Sequence, residues 1–175
     1  DEIPNLNQLN FNEIDNNIVI FEQKMFYYKL NLFYEEYTWQ GTKAVKRKNF
    51  ISPQWLRNIK GKKYSKWRLD TFFSKKKYSN LLFVKNGGWH FTCLRSPEEL
   101  EKKLLNFAHH YEFEESGLKL DDIKQLIKDK RVMYDHSVDQ KGYKWSGKSI
   151  LKNLDSKFLP DHVSSNLGKY SDWLD

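Results

Sequence analysis

Two acids open the chain, Asp1 and Glu2, and Ile3-Pro4 follows them. Adjacent carboxylates offer the hard oxygen ligands that divalent cations prefer, although a solvated acidic segment has the same appearance. Farther along, Trp89-His90-Phe91 follows a double glycine at Gly87-Gly88. An imidazole titrates near neutral pH, so His90 suits metal ligation, donation to a phosphate, or proton transfer. A structural histidine in a turn is the plainer alternative. His109-His110 is a second candidate, but no His-Glu-x-x-His pattern or spaced partner pair supports zinc. Histidines at a helix C-terminus also interact favourably with the helix dipole. A set of carboxylates comes next: Glu112, Glu114, Glu115, Asp121 and Asp122. Any one of them could take the proton of an attacking hydroxyl, while most of the set must be solvated.

The elements that have to position these groups can be read from pattern. Ile18–Phe21 is a short apolar run and reads as a buried strand. Residues 25–32 alternate and continue as strand, joined to the first as a hairpin or as one bent strand. Residues 39–42 form a turn, and 44–47 a short strand. Ser52-Pro53 opens a helix with Trp55, Leu56 and Ile59 on its apolar side, ended by Gly61. Leu81–Val84 is a buried strand feeding the glycine rim. Ser96-Pro97-Glu98-Glu99 then carries an N-cap, a proline at the first helical position and a capping-box glutamate. The helix it opens runs to about 109, with Leu100, Leu104, Phe107 and Ala108 on one face. An acidic loop over 114–117, a second helix from Asp121 to about 130, and a last helix from near Pro160 complete the pass. Val163, Leu167, Tyr170 and Leu174 recur at helical spacing in that last segment. Strands first and helices later, in one domain, indicate an α/β or α+β layer structure.

Composition narrows the function classes. The 175 residues suffice for a domain with a real core. Aromatic residues make up 16% of the chain; they fit a core, and they also fit sugar sites, where rings stack on the C–H faces of pyranoses. The net charge of +7 favours anionic partners. Basic residues cluster over 43–48, 57–68 and 75–77, with Tyr64 and Trp67 inside the second cluster and Trp55 just before it. Charge interleaved with rings is how single-stranded nucleic acid is held, but no recognised RNA- or DNA-binding signature is present. A basic rim for a nucleotide diphosphate, or a solvated lysine-rich face, gives the same pattern. The single cysteine, Cys93, leaves no internal disulfide framework. No apolar run approaches the roughly 20 residues that span a bilayer.

Several of these pieces, in order, resemble glycosyltransferase family seventeen, the family of the mannosyl-glycoprotein N-acetylglucosaminyltransferase that adds bisecting GlcNAc. They are Asp1-Glu2-Ile3-Pro4, the aromatic strand from Met25 to Asn31, Gly41-Thr42, Gly88-Trp89-His90-Phe91, Ser96-Pro97-Glu98, and Leu159-Pro160 with Asn166 and Tyr170. The resemblance implies an α/β, GT-A-like glycosyltransferase fold. Residues 1–175 would be a single, N-terminally truncated domain, the acceptor-side part with a mixed sheet and flanking helices. It implies transfer of a sugar, N-acetylglucosamine from UDP-GlcNAc, to a glycan hydroxyl with inversion, assisted by Mn2+ or Mg2+. Asp1 matches the last acid of the family's Asp-x-Asp-Glu-Ile-Pro pattern and, with His90, is the expected metal ligand. Trp89, Glu2 and Arg47 are the expected substrate contacts. Glu112 is the expected base, with Asp122 in reserve. No nucleic acid is expected. The expected location is the cytoplasm, or the Golgi lumen for a eukaryotic member. The alternative is a basic, aromatic module that binds glycan or nucleic acid without chemistry.

Overall fold

An apolar tetrapeptide between polar flanks has to be covered on both faces. Ile18–Phe21 is such a segment, and all four of its residues are buried. The computed structural model describes residues 1–65, 67–106, 110–139 and 141–175, the side chains of Phe11 and Phe72 excepted. In chain order the strands are β1 (Glu2–Pro4), β2 (Ile18–Phe21), β3 (Gln23–Tyr27), β4 (Leu32–Trp39), β5 (Lys43–Val45), β6 (Leu81–Val84), β7 (Gly88–Thr92) and β8 (Lys152–Asn153). The helices are α1 (Pro53–Asn58), α2 (Leu69–Phe73), α3 (Pro97–Leu105), α4 (His110–Ser116), α5 (Leu120–Lys128) and α6 (Asp161–Ser164). One sheet has the order β1-β7-β3-β4-β8 and the other β5-β2-β6. The second sheet is mixed, because β2 runs parallel to β6 and antiparallel to β5. The protein is thus a mixed α/β structure with flanking helices, as its pattern indicates. No helix among the described residues is long and apolar enough to cross a membrane.

The chain divides into two compact units. One comprises Glu2–Lys24 and Thr38–His90; the other comprises Asp1, Met25–Tyr37 and Phe91–Asp175. In the first, strand-rich unit, the period-two alternation of β2 sends its residues to two faces. Ile18 and Ile20 pack with Leu81 and Ile59, against Trp55, Leu56, Tyr78 and Phe83. Val19 and Phe21 pack with Val84, against Leu9, Ile14, Ala44 and Leu82. The Ser52 hydroxyl caps α1 by accepting from Trp55 N at 3.1 Å. The helix stops at Asn58, short of the glycine expected to end it. Lys43 Nζ donates to the carbonyls of Arg57 and Ile59 at 2.8 Å each, satisfying acceptors that a glycine turn would otherwise serve.

The helical unit departs from the sequence pattern in three places. The strand expected over 25–32 breaks after Tyr27: Tyr28 has φ +63°, and a tight turn returns the chain to β4 at Leu32. Tertiary contacts hold this conformation. Tyr28 N donates to Thr92 O at 3.2 Å, and its phenol donates to Arg131 O and accepts from Met133 N. The acidic stretch over 114–117 is the end of α4 rather than a loop. Gly117, at φ +71°, terminates that helix in the left-handed conformation that suits glycine at this position. The last expected helix is broken in two: α6 ends at Ser164, and a 3-10 segment, Leu167–Trp173, follows. By contrast α3 starts as its sequence dictates, with Ser96 and Glu99 exchanging both bonds of a capping box. Phe107, Ala108 and His109, at the expected end of that helix, lie outside the described residues, as does Lys66 in the second basic cluster.

A buried polar hub ties the helical unit together. The carboxylate of Asp135, which is 4% exposed, accepts from the Tyr34 phenol, from Ser137 N at 2.8 Å and Ser137 Oγ at 2.6 Å, and from Ser149 Oγ at 2.8 Å. Burial alone would raise its pKa, but the hydrogen bonds from Ser137, Tyr34 and Ser149 outweigh it and hold the group down to about 2. The partner phenol moves the other way: burial and the bond to Asp135 raise Tyr34.

Candidate metal centre at the glycine rim

The site starts from a backbone requirement. Gly88 sits at φ +130°, and a Cβ there would lie 2.1 Å from Ile3 O and 2.9 Å from Pro4 Cα. Only glycine allows β1 and β7 to approach in this way. The antiparallel register then places Glu2 opposite His90, Ile3 opposite Trp89 and Pro4 opposite Gly88. Asn5 N donates to Gly87 O at 2.8 Å, and Phe91 N donates to Asp1 O at 2.7 Å, closing the ladder at both ends. Directly opposed side chains of an antiparallel pair share a face, so Glu2 and His90 meet. Asp1 joins them: its carboxylate, a Glu2 carboxylate oxygen and an imidazole nitrogen of His90 all lie within 4.8 Å of one another.

Several neighbours fix the first coordination candidates in place. The Trp39 indole stacks on the His90 ring, with centroids 4.2 Å apart and planes 9° from parallel. The Thr42 hydroxyl donates to Glu2 and lies 3.0 Å from Gln23 Oε1. Gln23, itself buried, donates from its amide to Trp89 O at 3.3 Å. Gly41 leaves the space in which Glu2 and Trp39 stand; a Cβ there would come within 2.6 Å of Glu2 Oε1 and 2.2 Å of Trp39 Nε1. His90 is buried, Glu2 is half-buried and Asp1 is exposed, so the cluster opens toward solvent on its Asp1 side.

The donor set fits a divalent ion. Two carboxylates and one imidazole on adjacent strands are donor types that a divalent ion such as Mn2+ takes, and the set contains no thiolate. A three-residue set also leaves coordination positions for oxygens of a ligand. Glu2, expected as a substrate contact, therefore stands among the metal-ligating candidates beside Asp1 and His90.

The remaining expected residues lie elsewhere. Trp89 is half-buried on the β7 position opposite Ile3, the face away from Glu2 and His90. Arg47 is exposed on the 3-10 turn Arg47–Asn49. Glu112 is exposed on α4, in the helical unit, and lines a cavity there. Asp122 accepts from Lys119 N at 2.9 Å, which commits its carboxylate to starting α5. Of the rings on which the nucleic-acid alternative depends, Trp67 is exposed, while Trp55 and Tyr64 are engaged. Trp55 packs against the core and donates from Nε1 to Lys75 O at 2.9 Å. Tyr64 has the Arg68 guanidinium 5.5 Å and the Lys77 ammonium 5.7 Å from its ring centre. Sequence reasoning missed Trp39, Thr42 and Gln23 as site residues. Gly41 beside Thr42 was the one available signal, as a glycine next to a polar residue at a strand end.

No protein-family model, no curated protein and no solved structure matches this chain.

Proposed function

We propose that the chain carries the metal-binding edge of a glycosyltransferase, which transfers a sugar, N-acetylglucosamine from UDP-GlcNAc, to a glycan hydroxyl with inversion. The observation that carries this reading is the convergence of Asp1, Glu2 and His90 around one point at the glycine rim. Residues far apart in sequence meet there with ligand atoms of the types a Mn2+ or Mg2+ ion takes. When bound, such an ion neutralises the charge that grows on a departing diphosphate. Asp1 and Glu2 would hold it by carboxylate oxygens, and His90 by a ring nitrogen whose direction the Trp39 stack sets.

Inversion requires that a hydroxyl oxygen of the acceptor bond to the anomeric carbon as the bond to the diphosphate breaks. The hydroxyl proton passes to a carboxylate. Glu112, which borders a cavity of the helical unit, is proposed for that base, with Asp122, which accepts from Lys119 N at 2.9 Å, in reserve. The test is Mn2+ binding, followed by electron paramagnetic resonance, together with turnover of UDP-GlcNAc in the presence and absence of the ion. Binding that falls by about tenfold or more in Asp1→Asn and His90→Ala, at least the loss that removing a group behind a ligand gives, with turnover that needs the ion, is the expected result. A folded protein that binds no Mn2+ or Mg2+ and turns over no UDP-sugar would refute the proposal.

A further inference from the structure

The helical unit contains two aromatic-walled cavities lined by none of Asp1, Glu2 and His90. One cavity of about 370 Å3 is lined by Lys103, Glu112, Met133, Tyr134, His136 and Trp145 among others. A second, of about 330 Å3, is lined by Glu112, Glu115, Tyr134, Tyr143, Lys144 and Trp145 among others. The two share Glu112, Tyr134 and Trp145, so they adjoin along one wall. Each falls at the small end of the roughly 300–1,000 Å3 of small-molecule sites, with room for a sugar ring.

The shared wall is well braced. Tyr134 and Trp145 meet edge to face at 5.1 Å, Trp145 leans on Phe113 at 5.7 Å, and Tyr134 meets His136 at 4.9 Å. The Tyr134 carbonyl accepts from the buried Tyr27 phenol at 2.9 Å. Between Tyr134 and His136 lies Asp135, the hub of the buried polar network. Rings held at fixed angles present flat apolar surfaces at little entropic cost on binding.

The charges select among ligands for such a wall. An aromatic cage with a carboxylate also suits a quaternary ammonium. Here, however, Lys103 lines the first cavity, and Lys144 lines the second with its ammonium 5.4 Å from the centre of the Tyr134 ring. Those cations repel another. Glu112 and Glu115 oppose a strongly anionic ligand in the same way. A neutral ligand with apolar C–H faces and many hydroxyls satisfies both constraints. Its faces lie on the indole, and its hydroxyls donate to the glutamates and accept from the lysines.

We infer that the aromatic wall shared by the two cavities, built on Tyr134 and Trp145, binds a neutral sugar with a pyranose face on the Trp145 indole. That it serves as the acceptor site rests on the transferase reading; the binding itself rests only on the wall. The experiment is saturation-transfer NMR and calorimetry on this chain with cellobiose, mannobiose and N,N′-diacetylchitobiose, in EDTA and without any nucleotide. At least one disaccharide is expected to bind. Trp145→Ala is expected to weaken it by about tenfold or more, Trp145→Phe much less, and Glu112→Leu severalfold. Glu112 is exposed on α4, so its variant reports on the shared wall even if Trp145→Ala does not fold. Failure of all three sugars to bind, unchanged affinity in the folded Trp145 and Glu112 variants, or binding of choline in their place would overturn the inference. Because metal and nucleotide are absent, sugar binding survives a failure of the transferase reading, and loss of sugar binding leaves Mn2+ binding untouched.

Discussion

Replacing Asp135 by Asn tests how the aromatic wall is held. The carboxylate stands between Tyr134 and His136 and accepts four hydrogen bonds, from the Tyr34 phenol, Ser137 N and Oγ, and Ser149 Oγ. Those bonds outweigh the cost of burial and take its pKa from the ordinary 3.8 to about 2. A drop of that size means the folded state prefers the ionised carboxylate by about 2 kcal/mol. The sign follows from the depressed value. The stabilisation is fully present above the unfolded-state pKa near 4, and it is lost as pH falls from about 4 toward 2. Asparagine keeps the shape and one acceptor oxygen but cannot carry the charge. Asp135→Asn should therefore cost about 2 kcal/mol at pH 7, or about 4–8 °C in Tm for a chain of this length. The variant should also lose the part of the acid sensitivity that the carboxylate supplies. Urea unfolding of both proteins between pH 7 and pH 2.5 measures this, and the two stabilities should converge at the acid end. A difference below about 0.5 kcal/mol at pH 7, or one that stays constant down to pH 2.5, would refute the reasoning.

Two further substitutions probe the rim and the helix that follows it. Gly88→Ala places a Cβ against Ile3 O at a φ of +130°, so it should cost more than about 2 kcal/mol and abolish Mn2+ binding by displacing β1; wild-type stability with intact ion binding would contradict the steric argument. Ser96→Ala removes the cap whose hydroxyl accepts from Glu99 N at 3.2 Å. It should cost about 1 kcal/mol in thermal unfolding and leave Mn2+ affinity unchanged, and a neutral effect would show that the box contributes nothing in this setting.

What could be read in the sequence was local. Ser52-Pro53 and Ser96-Pro97-Glu98-Glu99 specify helix starts through bonds reaching three residues ahead, and both helices begin there. Ile18–Phe21 and Leu81–Val84 declare buried strands by apolarity alone. The break at Tyr28 has no such signal. The alternation of its neighbours runs straight through it, and the bonds that hold φ at +63° come from Thr92, Arg131 and Met133. The end of α4 was legible in principle: Gly117 after a run of good helix formers is a stop signal as well as a loop signal. Acidity drew attention to solvent exposure, and an exposed helix satisfies that equally.

The same distinction separates the two candidate sites. The proposed metal cluster is built from a strand register that one glycine permits, so its members carried visible marks: acids before Ile-Pro, and a histidine just after a double glycine. The aromatic wall has no mark of that kind. It joins Glu112, Tyr134 and Trp145, and it depends on Asp135, whose partners Tyr34 and Ser149 lie 101 and 14 residues away. Each of these residues, taken alone, reads as ordinary core or ordinary surface. Only packing shows that the aromatic surplus in the composition is distributed unevenly, some of it buried in the core and some of it forming a wall between two open cavities. A chain that needed aromatics solely for stability would gain more by burying Trp145 than by leaving it half-exposed beside two glutamates and two lysines. That arrangement, rather than the aromatic count, is the physical reason to look for a sugar there.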